Sequence, residues 1–355
     1  MGSFSVEKQR SKQPMERKTT KGFERFDVVT DDRDHRFRDS NDGKSFNDGS
    51  SELYKTIMRE WKILEKNLPE SIYVRVYEQR IDLMRAVIVG AVGTPYHDGI
   101  FFFDIVFPAN YPKHPPKLYY HSFGYRLNPN LYNNGKVCLS LLNTWHGRKR
   151  EKWDPSESTM LQVLLSIQAL VLNEKPFFNE PGVDKGLGRF GLSLEKKSRV
   201  YNEGAYFTTC RTSYQLLRRP PRNFEEFVSG HFRERASRII DAGRQYASGH
   251  VRIGYYSCES APSSSSGVVV SPEFKVRIKE FFPLFVRALR QNENGAPVDG
   301  VDLRCTTNFV VTAWNDTDGD WMEDPENKGG GFFKTMMDKI KQSFGWKNIG
   351  NNNSS

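Results

Sequence analysis

The chain has 355 residues, 37% of them hydrophobic and 27% charged, and a formal net charge of +9. This length allows one ordinary domain of about 150 to 200 residues plus extensions. No apolar run approaches the roughly 18 residues of a membrane span or forms a secretory signal, and opposite charges are mixed without an aromatic-interleaved basic face. We therefore expect an intracellular protein, in the cytoplasm, the nucleus or both, that has no membrane span and does not bind nucleic acid.

The first segment of the chain, residues 1–50, is rich in Ser, Lys, Arg, Asp and Gly. Such a composition cannot bury enough apolar surface to offset the entropy of ordering, so we predict a mostly disordered tail. The sequence FERFDVV at 23–29 leaves two interpretations open. Its apolar residues either dock on the domain or are a few stray apolar residues in a tail.

A domain is predicted over residues 51–245. Ser51 opens an amphipathic helix that Pro69 ends. Its apolar positions repeat at steps of three and four residues: Leu53, Ile57, Trp61 and Leu64. Because this is the period of a helix face, the pattern indicates a helix packed on a core.

Strand-like runs follow the first helix, separated by turn-prone residues. They lie at 71–78, 83–91, 99–108 and, after a proline-dense corner, 118–122. Their short connections predict a four-stranded antiparallel meander.

A long irregular stretch, residues 121–158, comes next, and loops of that length inside a compact domain are usually functional. The nearly all-apolar helical pattern at 159–174 predicts a central core helix. Further helical segments lie within 196–250. The fold class is therefore α+β: an N-terminal helix, the meander, a central helix and C-terminal helices.

The last segment, residues 246–355, is predicted to be a loosely ordered extension. A Ser/Gly/Pro linker at 262–271 precedes two short helical patterns, at 271–291 and 330–347. In the second pattern one face is apolar: Phe333, Met336, Met337, Ile340 and Phe344.

The four cysteines (Cys138, Cys210, Cys258 and Cys305) lie far apart without a CxxC pair, which argues against a disulfide framework and a structural zinc site. None of the seven histidines has metal-ligand spacing to another ligand. We expect no metal and no cofactor. Cys210 falls on a predicted helix, where a buried structural thiol is expected.

Several motifs, in this order and spacing, resemble the ubiquitin-conjugating enzyme family over about residues 51–245: FPANYPKHPPKLYY, NPNLYNNGKVCLSLLNTW, KWDP and LLSIQAL. The family hallmark is His-Pro-Asn with the catalytic cysteine eight residues after the Asn. Here the motif reads Asn128, Pro129, Asn130 and then Cys138. The Asn-Pro-Asn form resembles the branch of large conjugating enzymes with hybrid ligase character, including the giant apoptosis-inhibitor type.

The resemblance implies a role for each residue of the motif. Cys138 would be the nucleophile, because a thioester keeps the carbonyl of ubiquitin's terminal glycine reactive toward a lysine amine. Asn130 would either stabilise the oxyanion or brace its own loop, and Asn128, in place of the family's histidine, would organise that loop by hydrogen bonding. Glu180, in KPFFNEPG, stands where the family carries a gate acid, and is either that acid or a solvated loop residue.

The implied partners are ubiquitin, the ubiquitin-activating enzyme, a substrate protein and, where one is used, a ubiquitin ligase. Lys113 stands where the family places an aromatic residue against ligases, and its charge would weaken that contact. The link after the cysteine carries a basic insertion with Arg148, Lys149 and Arg150. The insertion is either a solvated loop or a contact for ubiquitin or an acceptor, which would permit transfer without a separate ligase.

Two other functions stay open. The missing histidine is compatible with an inactive scaffold that binds ubiquitin, although such relatives usually lose the cysteine that stands here at position 138. The sequence favours ubiquitin over another ubiquitin-like modifier only through the branch resemblance.

Overall fold

The computed structural model describes residues 22–40, 51–145, 147, 149–181, 183, 191–256 and 270–299. The strands, numbered β1 to β5, are Phe26–Val29, Ile72–Tyr77, Leu83–Val89, Ile100–Val106 and Lys117–Tyr120. The helices, numbered α1 to α5, are Glu52–Asn67, Met160–Ser166, Gly191–Arg218, Glu225–Ser248 and Pro272–Glu293. Within these ranges, no helix is both long enough and apolar enough to cross a bilayer.

The sheet has the strand order β1-β2-β3-β4-β5. Strands β2 to β5 pair antiparallel with their sequence neighbours, which confirms the predicted meander. Neighbouring residues of a strand point to opposite faces, and both faces of this sheet are buried. The paired residues Ala86 and Phe103 lie in a core with α1 and α2, whereas the next pair, Val87 and Phe102, lies in a second core with α3, α4 and α5.

The first helix begins and ends where the sequence predicts. The Ser51 hydroxyl caps α1 by accepting a hydrogen bond from the Tyr54 N–H at 3.1 Å. Ile57 and Leu64 are fully buried on its inner face.

The predicted central helix is also confirmed. Thr159 and Gln162 form a capping box at the start of α2, and every residue of α2 except Gln162 is buried. The helix continues as a π-helical turn at Ile167–Val171.

The prediction of a mostly disordered tail at 1–50 is wrong for residues 22–40. Strand β1 adds to the sheet edge parallel to β2. The Phe23 ring lies 4.0 Å from the Arg75 guanidinium, and the Phe26 ring centroid lies 6.3 Å from that of Trp61. Of the apolar residues considered for docking, Val28 remains 46% exposed. Residues 1–21 and 41–50 lie outside the described ranges.

The segment after β1 has a physical reason to be ordered, because it closes over a buried ion pair. Arg85 and Asp104 are in contact at 2.6 Å (Nε to Oδ1) beneath it. The Asp34 carboxylate reaches Arg85 at 2.8 Å, and the Arg36 N–H donates to Asp104 at 2.8 Å. A buried pair needs such further hydrogen bonds to offset its desolvation, and this segment supplies them.

The prediction of a loosely ordered extension over 246–355 is wrong for the part that forms α5. Phe281, Phe285 and Leu289 are buried in the core shared with α3 and α4. Gly243 of α4 allows this close packing, since a Cβ there would lie 2.0 Å from the Phe282 ring. The predicted helix at 330–347 lies outside the described residues.

Candidate active site

The loop between β5 and α2 carries Cys138 on one side of a small hairpin. Leu131 forms isolated bridges with both Asn128 and Val137, which sets the two sides of the hairpin opposite each other. Gly135 turns the chain with φ +87°, and its Cα packs on the Tyr119 ring, where a Cβ would come within 2.1 Å. The sequence NPNLYNNGKVC therefore folds back so that Asn130 faces Cys138.

Asn130 and Cys138 are joined by two hydrogen bonds. The Cys138 N–H donates to the Asn130 carbonyl at 2.8 Å, and Asn130 Nδ2 donates to the Cys138 carbonyl at 3.0 Å. Asn130 Oδ1 is buried without a hydrogen-bond partner. In this geometry the side chain braces the loop with one of the two N–H donors of its Nδ2.

Asn128 organises the hairpin from beneath, where it is 0% exposed. Its Nδ2 donates to the Tyr96 hydroxyl at 3.0 Å and to the Val171 carbonyl at 3.1 Å. Its Oδ1 accepts from the N–H groups of Asn130 and Leu131, each at 2.9 Å. One asparagine therefore ties the loop to the connection between β3 and β4 and to the end of the central helix, and its role in function stays a prediction.

The chain immediately after the cysteine is held by Thr144. The Thr144 hydroxyl donates to the Val137 carbonyl at 2.8 Å and accepts from the Leu139 N–H at 3.0 Å. Both backbone neighbours of Cys138 are thus fixed, so the position of its thiol is set by the loop.

The Cys138 thiol is shielded, with the residue only 2% exposed. Burial raises its pKa above the usual value, while the charge of Lys136, the nearby Tyr132 hydroxyl and the charge of Arg126 act in the opposite direction. The thiol is therefore mainly protonated near neutral pH, and its reaction as a nucleophile requires loss of that proton.

Glu180 lies at the rim of the same site. Its carboxylate is 3.9 Å from the Arg126 guanidinium, and Arg126 in turn lies over the Tyr132 ring, 4.6 Å from the centroid. The structure thus brings Glu180 next to the residues that surround the thiol. Sequence reasoning missed Arg126 and Tyr132, because no motif links position 126 to a glutamate 54 residues later.

The predicted ligase contact, Lys113, is exposed on the loop between β4 and β5. Two contacts fix this loop: the Tyr111 hydroxyl donates to Glu60 at 2.6 Å, and Trp153 Nε1 donates to the Pro112 carbonyl at 2.6 Å. Lys113 is therefore displayed on a rigid support, and its effect on ligases stays a prediction.

The basic insertion passes beside the loop that carries Cys138. Gly147 packs on Ser140, where a Cβ would lie 2.6 Å from the serine Cβ. Lys149 and Arg150 are exposed on a short 3-10 turn. His146 and Arg148 lie outside the described residues.

Of the other cysteines, Cys210 is buried in the second core, as expected for a structural thiol. Burial raises the pKa of Cys210 to about 12, so this thiol is unreactive near neutral pH. Cys258 and Cys305 lie outside the described residues.

Comparison with known proteins identifies the segment that carries this site. The family model described as ubiquitin-conjugating enzyme matches residues 56–189. "Putative ubiquitin-conjugating enzyme E2 38" of Arabidopsis thaliana is 49% identical over 271 residues, which cover 75% of this chain and 80% of the relative. "Probable ubiquitin-conjugating enzyme E2 24" of the same plant is 48% identical over 269 residues, 76% of this chain but 29% of the relative.

A further relative is much larger. "Dual E2 ubiquitin-conjugating enzyme/E3 ubiquitin-protein ligase BIRC6" of Homo sapiens is 39% identical over 225 residues, which cover 59% of this chain and 5% of the relative. The chain thus spans most of one relative and a minor part of the other two.

Proposed function

The chain belongs to the ubiquitin-conjugating enzyme family, and from this premise we propose that it accepts ubiquitin as a thioester on Cys138 and transfers it to lysine side chains of substrate proteins. The observation that carries the proposal is the position of Cys138 on a hairpin whose backbone is held by Asn130, Asn128 and Thr144. Among the cysteines in the described ranges, Cys138 has this support, whereas Cys210 is a core residue.

Charging is an exchange between two thioesters. The Cys138 thiol loses its proton, and its sulfur attacks the carbonyl carbon of ubiquitin's terminal glycine, which is held as a thioester on the activating enzyme. The old C–S bond breaks, and the activating enzyme's cysteine leaves with a proton. In transfer, a neutral lysine amine attacks the same carbon, an amide forms, and Cys138 leaves as the thiol.

The residues around the thiol serve these steps in different ways. Burial of Cys138 keeps water from the thioester, which limits hydrolysis. Negative charge develops on the carbonyl oxygen during transfer, and Asn130 Nδ2, which already donates to the Cys138 carbonyl at 3.0 Å, is the amide donor that would stabilise it. Glu180 at the rim would hold the lysine ammonium and accept its proton.

The test is incubation with activating enzyme, ATP and ubiquitin, followed by gels with and without thiol reductant. We expect wild type to form a reductant-sensitive adduct, Cys138→Ala to form none, and Cys138→Ser to form an ester that resists reductant but is cleaved by hydroxide. Cys210→Ala is the matched control and should charge normally, because its thiol is buried in the second core. The absence of any wild-type adduct would favour the inactive scaffold instead.

We also propose transfer without a separate ligase. The proposal is supported by the similarity to a relative whose name includes both activities, and by the exposed Lys149 and Arg150 on the insertion that packs on Ser140. Their charges could orient the tethered ubiquitin or hold an acidic acceptor.

The test is single-turnover discharge of preformed thioester with no ligase present. Arg148→Ala combined with Lys149→Ala and Arg150→Ala should slow discharge more than charging. Lys196→Ala with Lys197→Ala, an exposed basic pair on α3, is the control and should leave discharge unchanged. Discharge that is negligible until a ligase is added would contradict the proposal.

A further inference from the structure

Arg126 is the residue that connects the predicted gate acid to the thiol. It lies two positions before Asn128, and its side chain is 37% exposed at the rim of the site. Its guanidinium is 3.9 Å from the Glu180 carboxylate and lies over the Tyr132 ring at 4.6 Å. Arg126 and the Tyr132 beneath it both act to lower the pKa of the Cys138 thiol, so Arg126 lies near the reacting sulfur.

The charged groups at this rim do not by themselves favour binding of an acceptor lysine. Glu180 already has Arg126 as a cationic partner, and Lys136 lies on the same tyrosine, with Nζ 5.7 Å from the ring centroid. Among these three described groups two are positive and one is negative. An arriving lysine ammonium therefore meets a carboxylate that already has a cationic partner, with a second cation nearby.

An acceptor can offset this competition for Glu180 by bringing its own negative charge. An Asp or Glu next to the acceptor lysine would pair with Arg126 and release Glu180 for the ammonium, because the Arg126–Glu180 contact is long and partly exposed and so easily exchanged. A neutral neighbour leaves the competition in place, and a basic neighbour adds to the repulsion.

We propose that Arg126 is a specificity-determining residue that makes the enzyme prefer acceptor lysines flanked by acidic side chains. The inference rests on the function proposed above, since it concerns the second half of that reaction. Exposed ion pairs of this kind change rates modestly, so the expected preference is about two- to fivefold per acidic neighbour.

The experiment follows discharge of preformed ubiquitin thioester to three peptides that differ only in the residues beside one lysine: glutamates, serines or arginines. On wild type we expect the acidic peptide to react fastest and the basic peptide slowest, through a lower KM and not a higher kcat. The differences in discharge rate among the three peptides, which we call the spread, should shrink as salt rises to about 1 M, because surface contacts are screened.

Three variants distinguish an effect of Arg126 itself from an effect of the overall positive charge of the protein. Arg126→Gln should reduce the spread among peptides, and Arg126→Lys should restore most of it. Arg244→Gln removes one exposed arginine from α4 and is the matched control, which should keep the wild-type spread. Each variant is charged with excess activating enzyme before discharge is started, so effects on charging do not enter the comparison.

The outcomes distinguish the inference from the proposed function. Equal discharge to the three peptides, or a spread that survives in Arg126→Gln, would overturn this inference while leaving thioester transfer intact. A wild-type chain that forms no thioester would overturn both.

Discussion

Asn128 gives the sharpest prediction on stability, because one buried side chain makes four hydrogen bonds. Asn128→Ala removes hydrogen bonds from the Tyr96 hydroxyl, two backbone N–H groups and the Val171 carbonyl, which keeps only a contact with Asn179 Nδ2 at 3.5 Å. At about 1 kcal/mol net per bond, the free energy of unfolding should fall by about 4 kcal/mol. Losing the hydrogen bond to the Leu131 N–H should cost less than about 1 kcal/mol, because this N–H also reaches the Asn128 carbonyl at 3.3 Å.

The assay is urea unfolding followed by charging of the folded variant. Asn134→Ala is the matched control in the same loop, since it loses one exposed bond, to the Lys136 N–H at 3.0 Å, and should stay within about 0.5 kcal/mol of wild type. Asn128→Asp should destabilise at least as much as Asn128→Ala, because it buries a carboxylate against the Val171 carbonyl. An Asn128→Ala variant within about 1 kcal/mol of wild type would refute this account of the loop.

Three further predictions follow from the site and the second core. Asn130→Ala should still charge but should discharge to free lysine on the order of 100-fold more slowly if its amide serves the oxyanion; equal losses in charging and discharge would leave it only the bracing role. Because burial raises the Cys138 pKa, the rate of alkylation at position 138 should rise about tenfold per pH unit between pH 6 and 8. Mass spectrometry of a Cys210→Ala variant measures this rate, and a rate that stops rising near pH 7 would contradict the prediction. Burial of His231 lowers its pKa from 6.5 to about 4. As pH falls, the unfolded chain therefore binds a proton at His231 before the folded chain does. About 3 kcal/mol of the free energy of unfolding that is present above pH 6.5 is lost by pH 4. His231→Gln, which can still donate to the Asp98 carbonyl, should flatten the pH profile of urea unfolding across that window, and an unchanged slope would assign the acid sensitivity elsewhere.

The elements that could be predicted from the sequence are those set by local pattern. The 3.6-residue period of α1, its Ser51 cap and the alternation of the meander strands all reflect contacts that neighbouring residues dictate. The hairpin around Cys138 was not predicted, since its stretch has no apolar period, although Asn128, Asn130 and Gly135 all act within one short loop.

The parts that could not be predicted depend on contacts between distant residues. Strand β1 has a weak apolar signal and pairs with β2, and the segment after β1 contacts the ion pair of Arg85 with Asp104, which lies far along the chain. The contact between Arg126 and Glu180 likewise joins two loops that only the fold brings together. Helix α5 was visible as an apolar pattern, but the sequence did not show that α3 and α4 would cover it.

The account's central claim is that ubiquitin is carried at position 138, and one measurement tests it directly. The Cys138→Ser variant is charged with activating enzyme, ATP and ubiquitin, and the product is digested and mapped by tandem mass spectrometry. We predict an ester-linked Gly-Gly remnant at position 138 that hydroxide removes. A remnant found at Cys210 or at another side chain, with position 138 unmodified, would contradict the claim.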